Sequence, residues 1–212
     1  MPAHYRLQHG LIGRAKQRPG TAAAHLRYIL RPSAATWSLI HVPLGVSPDR
    51  EGVSVWMHAE ERNERKNGHL LDKVIVALPR ELLDERRHRL MQRFVEEVTH
   101  LRIPVIAAIH DGIMTPDEFN PHGHLAFRDR DFVTGKRYLN TTARGVGATA
   151  ETVGSTQWLR AVWEQCVNEA YDEAGHYLRV DRRSAVERGV ATRTRPFVPR
   201  GTWNRLVKTP AA

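Results

Sequence analysis

The sequence predicts an α+β fold in which a central, mainly antiparallel sheet carries a cluster of histidines and helices pack on the sheet. Helical and strand patterns alternate irregularly along the chain. Two apolar strand patterns, residues 102–110 and 122–130, are separated by a loop rather than by a helix. A loop connection favours antiparallel neighbours, because parallel strands need a longer crossover. The length of 212 residues is sufficient for one hydrophobic core.

The first fifty residues are predicted to hold one strand and one short helix. Loose alternation over residues 3–8 predicts the strand. The helix follows over 22–30, where Thr21 is a candidate N-cap and Pro32 ends the helical pattern. Residues 36–50 contain two prolines and a glycine and are predicted to be irregular.

The rest of the chain contains clearer elements. An amphipathic helix is predicted over 54–67, with Ser54 as its cap. Apolar periodicity then predicts, in order, strand 72–79, helix 80–100, strand 102–110, strand 122–130 and helix 156–174. Residues 131–155 are rich in glycine and threonine and are predicted to be a mobile surface loop. One domain is predicted over 1–189, followed by a basic, flexible tail over 190–212.

The composition limits the partners and the compartment. Lysine and arginine number 32 against 23 aspartates and glutamates, a formal net charge of +9. That excess suits a polyanion: nucleic acid first, and an anionic membrane surface second. The alternative is a basic protein whose charge serves only solubility. The absence of a long apolar stretch or signal peptide, together with the single cysteine Cys166, predicts a reduced, cytoplasmic protein with no membrane insertion.

Three histidines form the most specific chemical pattern in the chain. His122 and His124 are two residues apart, so on a strand they point to the same face. His110 ends the preceding strand, and antiparallel pairing would bring it close to the other two. Three imidazoles leave positions open for water or substrate, as catalytic metal sites do, and they suit zinc and other borderline metals. Chance is the alternative, because the chain holds 12 histidines.

These histidines belong to a larger set of sequence blocks. His110, a loop and the run NPHGHL from Asn120 to Leu125 resemble the metal motif of MobA/MobL-type relaxases, which are HUH endonucleases of plasmid mobilisation. Three more blocks are similar to that family in the same order: RYILR at 27–31, ERNERKNGHLLDKVIVALPREL at 61–82 and WLRAVWEQCVNEAYDEAGHYLRVDRRS at 158–184. The resemblance spans the chain to about Gly189 and therefore identifies residues 1–189 as a relaxase domain.

The resemblance implies a specific reaction. Members of this family cut one DNA strand at a transfer origin by tyrosine attack on a phosphodiester, keep the 5′-phosphate and free a 3′-hydroxyl. Tyr28 stands at the matching position and is the expected nucleophile. A tyrosine hydroxyl is a poor nucleophile at neutral pH, so the family's divalent metal (Mn, Mg or Zn), held by His110, His122 and His124, would assist by binding the scissile phosphate. From spacing alone, Tyr28 would be interpreted as a helix-packing residue.

The chain departs from the family pattern in three places. Lys73 and Ile75 stand where the family often carries glutamates that orient the metal ligands, and the candidates to substitute for them are Asp72, Glu61 and Glu64. The loop before His122 is longer than usual, and Arg182 replaces a histidine. Two alternatives therefore stay open: a non-cleaving DNA-binding protein of the same fold, and a rolling-circle replication initiator that nicks by the same chemistry. A small-substrate metal hydrolase is disfavoured by the basic charge.

The expected DNA contacts are basic residues near these blocks. A single strand binds in a basic groove with aromatic stacking platforms. The candidates are Arg27 and Arg31 beside Tyr28, Lys136, Arg137 and Arg144 in the loop, and Arg182 and Arg183 near the end of the domain. The alternative interpretation of each residue is an ordinary solvated charge on the protein surface. The resemblance implies single-stranded or hairpin DNA at a transfer origin as the partner, with accessory mobilisation proteins and a type IV secretion coupling protein.

Overall fold

Five strands and four helices follow one another in the computed structural model, which describes residues 5–112, 119–141, 149–184 and 187–189. In chain order they are β1 (Leu7–Gly13), α1 (Thr21–Ile29), β2 (Ala35–His41), α2 (Arg50–Asn63), β3 (His69–Ala77), α3 (Asp84–Thr99), β4 (Val105–Gly112), β5 (Phe119–Phe127) and α4 (Thr156–Glu173). The predicted α+β class is confirmed.

The strands form one antiparallel sheet in the order β1-β3-β5-β4-β2. The hairpin partners β4 and β5 both lie in the interior of the sheet, as the apolar composition of residues 102–110 predicts for β4. In their register His110 lies opposite His122, and Ala108 lies opposite His124. Because directly paired residues share a face of the sheet, all three histidines point to one side.

Helices cover both faces of the sheet. On what we call the core face, α3 and α4 pack against alternate strand residues such as Val74, Val76 and Phe127. On the opposite side, the site face, α1 and α2 pack against residues such as Ile106 and Ala126. Each helix presents one apolar stripe to the sheet, and the burial of those stripes is the main stabilising contribution.

Three helix starts and two strands differ from the sequence predictions. Strand β1 spans Leu7–Gly13 rather than residues 3–8, and α3 begins at Asp84 rather than at residue 80. Residues 35–41, mostly predicted as irregular, form β2, because Trp37 and Leu39 alternate with polar residues and pack on the core face of the sheet edge. Helix α2 begins at Arg50 rather than at Ser54, because the Asp49 carboxylate accepts hydrogen bonds from the first amides of the helix. Thr21 does not cap α1, since its hydroxyl donates to the Arg18 carbonyl.

The predicted mobile surface loop is partly integrated into the fold. Leu139 and Thr141 are buried, and the Asp131 carboxylate accepts hydrogen bonds from the amides of Val133 and Thr134, so the described ends of this segment pack against the protein. Residues 142–148 and the predicted tail, 190–212, lie outside the described residues.

The chain divides into two compact units. Residues up to Arg182 form the first unit. In the second, the described residues 183–184 and 187–189 contain a turn in which the Arg188 amide donates to the Ser184 carbonyl. The predicted domain boundary at residue 189 stays a prediction. In the part of the chain that the structure describes, no helix has both the length and the apolarity needed to cross a bilayer.

Candidate active site

The sheet register brings the three predicted histidines together. Potential ligand atoms of His110, His122 and His124 all lie within 4.8 Å of one another. The ring centroids of His110 and His124 are 4.5 Å apart, and that of His122 lies 5.5 and 5.0 Å from theirs. The clustering that the sequence spacing predicts is therefore present in the structure, and these three histidines could hold one metal ion.

Gly123 lies between the two histidines of β5 and faces the opposite side of the sheet. A Cβ on Gly123 would point to the core face and lie 2.6 Å from Met91 Sδ and 2.9 Å from Val76 Cγ2. Helix α3 therefore packs directly on the backbone of β5 at this point. The close approach supports the strand segment from which His122 and His124 project to the site face.

Backbone carbonyls fix the orientation of two of the rings. His110 Nε2 donates to the Ile29 carbonyl at 2.7 Å, and His122 Nδ1 donates to the Asn120 carbonyl at 2.8 Å. Since each of these nitrogens carries the proton, the other nitrogen of each ring has its lone pair available. In metal sites a ligating histidine commonly donates its second ring N–H to a carbonyl in this way, which fixes the tautomer that binds the ion.

His124 supplies the strongest sign that the cluster fits a cation. Both of its ring nitrogens are buried and have no hydrogen-bond partner among the described residues, as is also true of His110 Nδ1. A buried polar atom without a partner costs about 1–3 kcal/mol, which a coordinated metal ion would offset. The donor set of three imidazoles fits zinc and other borderline metals, and three protein ligands leave open positions.

The electrostatics of His110 and His124 favour the neutral imidazole, the form that binds metal. Burial, followed by the charges of His110 and His122, lowers the pKa of His124 to about 3. Burial also lowers the pKa of His110, and the charge of Arg31 adds to the effect, while the bond to the Ile29 carbonyl opposes it.

Tyr28 lies next to the histidines at the end of α1. Its ring centroid is 6.1 Å from that of His110 and 6.2 Å from that of His124, both in edge-on geometry. The side chain is 51% exposed, so substrate can reach it. Helix α1 is set at this distance because Leu26 and Ile29 on its other side are fully buried against the sheet.

Arg31 holds the ring of Tyr28. Its guanidinium lies 4.0 Å from the ring centroid, and its Nη1 donates to the Tyr28 carbonyl at 2.8 Å. A cation over the ring face stabilises this arrangement by cation–π attraction. The same charge acts on the histidine cluster, because it contributes to the lowered pKa values of His110 and His124.

The other tyrosines are placed differently. Tyr171 is buried, the Tyr5 hydroxyl donates to the Arg160 carbonyl, and the Tyr138 hydroxyl lies 2.5 Å from His100 Nδ1. Tyr177 is fully exposed. Among the described residues, Tyr28 is therefore the tyrosine in ring contact with the histidine cluster.

A cleft of about 250 Å³ opens between Tyr28 and the edge of the sheet. It is lined by Arg6, Gln8, Tyr28, Ile75, Val76, Ala77, Asn120, His122 and His124. The sequence prediction missed Arg6 and Gln8. Arg6 directly precedes β1 and Gln8 lies in it, on either side of the buried Leu7, and that alternation is the signal that could have placed both on the site face.

The acidic residues named as candidates to substitute for the missing glutamates are engaged elsewhere in the structure. Asp72 points to the core face, where its carboxylate meets His9 and His69. Glu61 accepts a hydrogen bond from the Gly20 amide, and Glu64 pairs with Arg128. Carbonyl groups, rather than carboxylates, stand behind His110 and His122.

The predicted DNA contacts fall into separate groups. Arg27 and Arg31 lie on and just after α1, as expected, with Arg27 exposed. Lys136 and Arg137 are exposed, and Arg137 forms an ion pair with Asp129 at 3.0 Å. The lining of the cleft includes neither of these two nor Arg182, which pairs with Glu164. Arg183 is exposed in the second unit, and Arg144 lies outside the described residues.

Comparison with known proteins places these features in context. The model of the MobA/MobL family matches residues 21–202. Mobilization protein A of Escherichia coli is 31% identical over 166 residues, a match that covers 72% of this chain and 23% of that protein. The chain thus spans about a quarter of the length of this curated relative.

Two solved structures share the fold. A chain from work on the molecular basis of vancomycin resistance transfer in Staphylococcus aureus has a TM-score of 0.62 and 23% identity, covering 86% of this chain and all of that one. The conjugative relaxase TrwC, in a metal-bound complex with oriT DNA, has a TM-score of 0.56 and 12% identity, covering 98% of this chain and 92% of that one. At these identities the likeness shows the fold alone.

Proposed function

The chain belongs to the MobA/MobL family, and we propose that it acts as a relaxase that nicks single-stranded DNA at a plasmid transfer origin in conjugative mobilisation. One observation carries the proposal. An exposed tyrosine, Tyr28, lies edge-on to two of three imidazoles whose nitrogens converge within 4.8 Å, and the open cleft that Tyr28 lines also exposes His122 and His124. The proposed nucleophile and the proposed phosphate-binding centre would thus meet the substrate in one place.

Tyr28 would act as the nucleophile. Its Oη attacks the scissile phosphorus and forms a phosphotyrosine with the 5′ side of the break. The bond from phosphorus to the 3′ oxygen breaks, and the departing oxygen gains a proton to become a 3′-hydroxyl, while the phenol loses its proton. One phosphodiester bond replaces another, so the step is reversible and needs no ATP.

His110, His122 and His124 would hold a divalent ion, Mn, Mg or Zn. Such an ion, when bound, neutralises the negative charge that develops on the phosphate oxygens in the transition state. The carbonyls of Ile29 and Asn120 keep two of the rings in a ligating orientation. Arg31 fixes the Tyr28 ring and adds positive charge beside it.

The cellular setting follows from the same proposal. The substrate would be single-stranded or hairpin DNA at a transfer origin, and the TrwC structure, which contains oriT DNA, supports a DNA partner for this fold. We further propose that residues 1–189 form the relaxase domain, that accessory mobilisation proteins and a type IV secretion coupling protein are partners, and that the protein acts in the cytoplasm.

A covalent-adduct assay tests the proposal. End-labelled single-stranded plasmid origin DNA is incubated with the protein plus Mn²⁺ or plus chelator, and the products are separated on a denaturing gel. We expect a protein–DNA adduct that requires metal and is absent in Tyr28→Phe, with DNA binding retained in that variant.

The same assay separates the alternatives. DNA binding without an adduct at any origin tested would reject cleavage in favour of a non-cleaving DNA-binding protein of the same fold, which the replacement of the family glutamates by Lys73 and Ile75 would then explain. An adduct formed only at a replication origin would instead indicate a rolling-circle initiator.

A further inference from the structure

A second cavity continues the cleft toward the free edge of the sheet. It measures about 470 Å³, and its lining includes Gln8, Gly10, Lys73, Ile75 and Arg160. Gln8 and Ile75 line both this cavity and the cleft that contains Tyr28 and His124. The two therefore form one continuous depression over β1 and β3, which we call the edge groove.

The edge groove carries positive charge and no negative charge. Its described lining residues include Arg6, Lys73 and Arg160, and none of them is acidic. In the described part of the chain none of these three side chains forms an ion pair, and the buried Nε of Arg160 has no hydrogen-bond partner there. By contrast, Arg137 and Arg182 are already paired with carboxylates.

The strand register places two of these cations near the histidines. The Ala77 amide donates to the Arg6 carbonyl, and Ala77 pairs with His122, so Arg6 lies two strands, or about 10 Å, from that ligand. Lys73 lies two residues from Ile75, which pairs with His124, so one strand and two residues, or about 8 Å, separate Lys73 from that ligand. Both cations therefore lie within reach of a DNA strand whose phosphate is held at the histidine cluster.

Gly10 gives Lys73 its path to the edge. The two residues are directly paired across β1 and β3, and a Cβ on Gly10 would lie 2.8 Å from Lys73 Cε. The lysine side chain therefore lies across the bare backbone of the edge strand. An acidic side chain at the position of Lys73, next to Ile75 on the same face of β3, would repel a phosphate in the groove.

We propose that the edge groove binds the phosphate backbone of the single-stranded DNA that flanks the cleavage site, with Arg6, Lys73 and Arg160 each contacting a phosphate. This inference rests on the proposed function, because the histidine cluster is taken as the point where the scissile phosphate binds. Lys73 is thus a substrate-binding residue rather than a defect in the metal site.

Salt-dependent binding of a fluorescent oligothymidylate about twenty nucleotides long, measured by anisotropy at fixed Mn²⁺, tests the proposal without requiring cleavage. Each phosphate contact contributes about 0.7 to the slope of log affinity against log salt for a single strand. We expect Arg6→Gln and Lys73→Gln each to reduce the slope by about 0.7, and the triple variant with Arg160→Gln to reduce it by about 2.

Arg89→Gln is the matched control, because Arg89 is exposed on α3, which covers the core face, and its loss removes the same charge. Its slope should equal that of the wild type. The two single variants, Arg6→Gln and Lys73→Gln, decide the test, because Arg160 is partly buried and its replacement could disturb folding. Thermal melting verifies that each variant is folded.

The outcomes separate the two proposals. Wild-type slopes in both single variants, an equal loss in Arg89→Gln, or no binding by the wild type would overturn the edge groove, even if the metal-dependent Tyr28 adduct forms. Reduced slopes with no adduct would keep the groove as a DNA-binding surface and reject the nicking reaction.

Discussion

Two clusters of histidines flank the same sheet, and they differ in the carboxylates beside them. On the site face, His110, His122 and His124 face one another, and the first two donate hydrogen bonds to backbone carbonyls. Toward α4, the Asp72 carboxylate lies 2.8 Å from His9 Nε2 and 3.2 Å from His69 Nε2, and His69 lies 3.7 Å from Asp129. We call this second set, His9, Asp72, His69 and Asp129, the carboxylate chain.

The difference decides what each imidazole can do. Burial alone would lower the pKa of His69, but the interaction with Asp129 and the charge of Asp72 outweigh it and raise the pKa above its ordinary value. Without such a carboxylate, burial lowers the pKa of His124 to about 3. Histidine beside carboxylate thus serves as an ion-pair partner that stabilises the fold, whereas histidine without one stays neutral and available to a metal.

Removal of one histidine from each cluster should give the largest difference in metal binding between the two clusters. His124→Ala is expected to lose metal binding by more than the ~10–100-fold typical of losing a group that only orients a ligand, because it removes a direct ligand. His69→Ala, the matched control, should bind Mn²⁺ or Zn²⁺ as the wild type does. Isothermal titration calorimetry measures both, and equal losses in the two variants would contradict the assignment.

Asp72→Asn should destabilise the protein with no effect on metal affinity. The side chain is fully buried and joins two imidazoles, so loss of its charge leaves an uncompensated site, at a cost of about 3–5 kcal/mol in the free energy of unfolding. Urea denaturation of the metal-free protein gives this value. A variant as stable as the wild type would show that the carboxylate chain does not stabilise the fold.

Gly123→Ala tests the support beneath the metal ligands. The added methyl would press on Met91 and Val76, and overpacking of this kind costs about 1–3 kcal/mol. Metal affinity should also fall, because β5 must shift beneath His122 and His124. Met91→Ala is a compensating change that should restore metal affinity in the double variant. If affinity is not restored, the packing of Met91 on β5 does not control metal binding.

The smallest expected effect is on the pH dependence of stability. Because the folded-state pKa of His69 is raised, its stabilising contribution is complete below the ordinary histidine pKa and is lost as pH rises through the folded value. The melting temperature of the metal-free protein should therefore fall as the pH rises from weakly acidic values, and the fall should be smaller in His69→Gln. An equal fall in the variant would show that other groups cause it.

Local patterns predicted the site better than they predicted the edges of the fold. The two-residue spacing of His122 and His124, with His110 one strand away, was enough to predict the cluster because β4 and β5 are hairpin neighbours. The edge strand β2 was missed because only alternate residues, such as Trp37, are packed against the core in it. A single sequence gives little signal for such half-exposed strands.

The carboxylate chain could not be predicted, because pairing of β1 with β3 joins residues that are far apart in sequence. His9 and Asp72 are 63 residues apart, and His9 also bonds to Thr156 at the start of α4. The edge groove depends on the same pairing. The family resemblance identified Lys73 only as a departure from the family pattern, whereas the strand register places it beside Gly10 near the histidines.

Mass spectrometry of the covalent adduct tests the central claim most directly. Origin DNA is incubated with the protein and Mn²⁺, digested with nuclease and trypsin, and the peptides are searched for one that carries a nucleotide. We expect a phosphodiester-linked nucleotide on Tyr28 that is lost with chelator and in His124→Ala. A nucleotide on Tyr138 or Tyr177, or an adduct that survives chelator and His124→Ala, would contradict it.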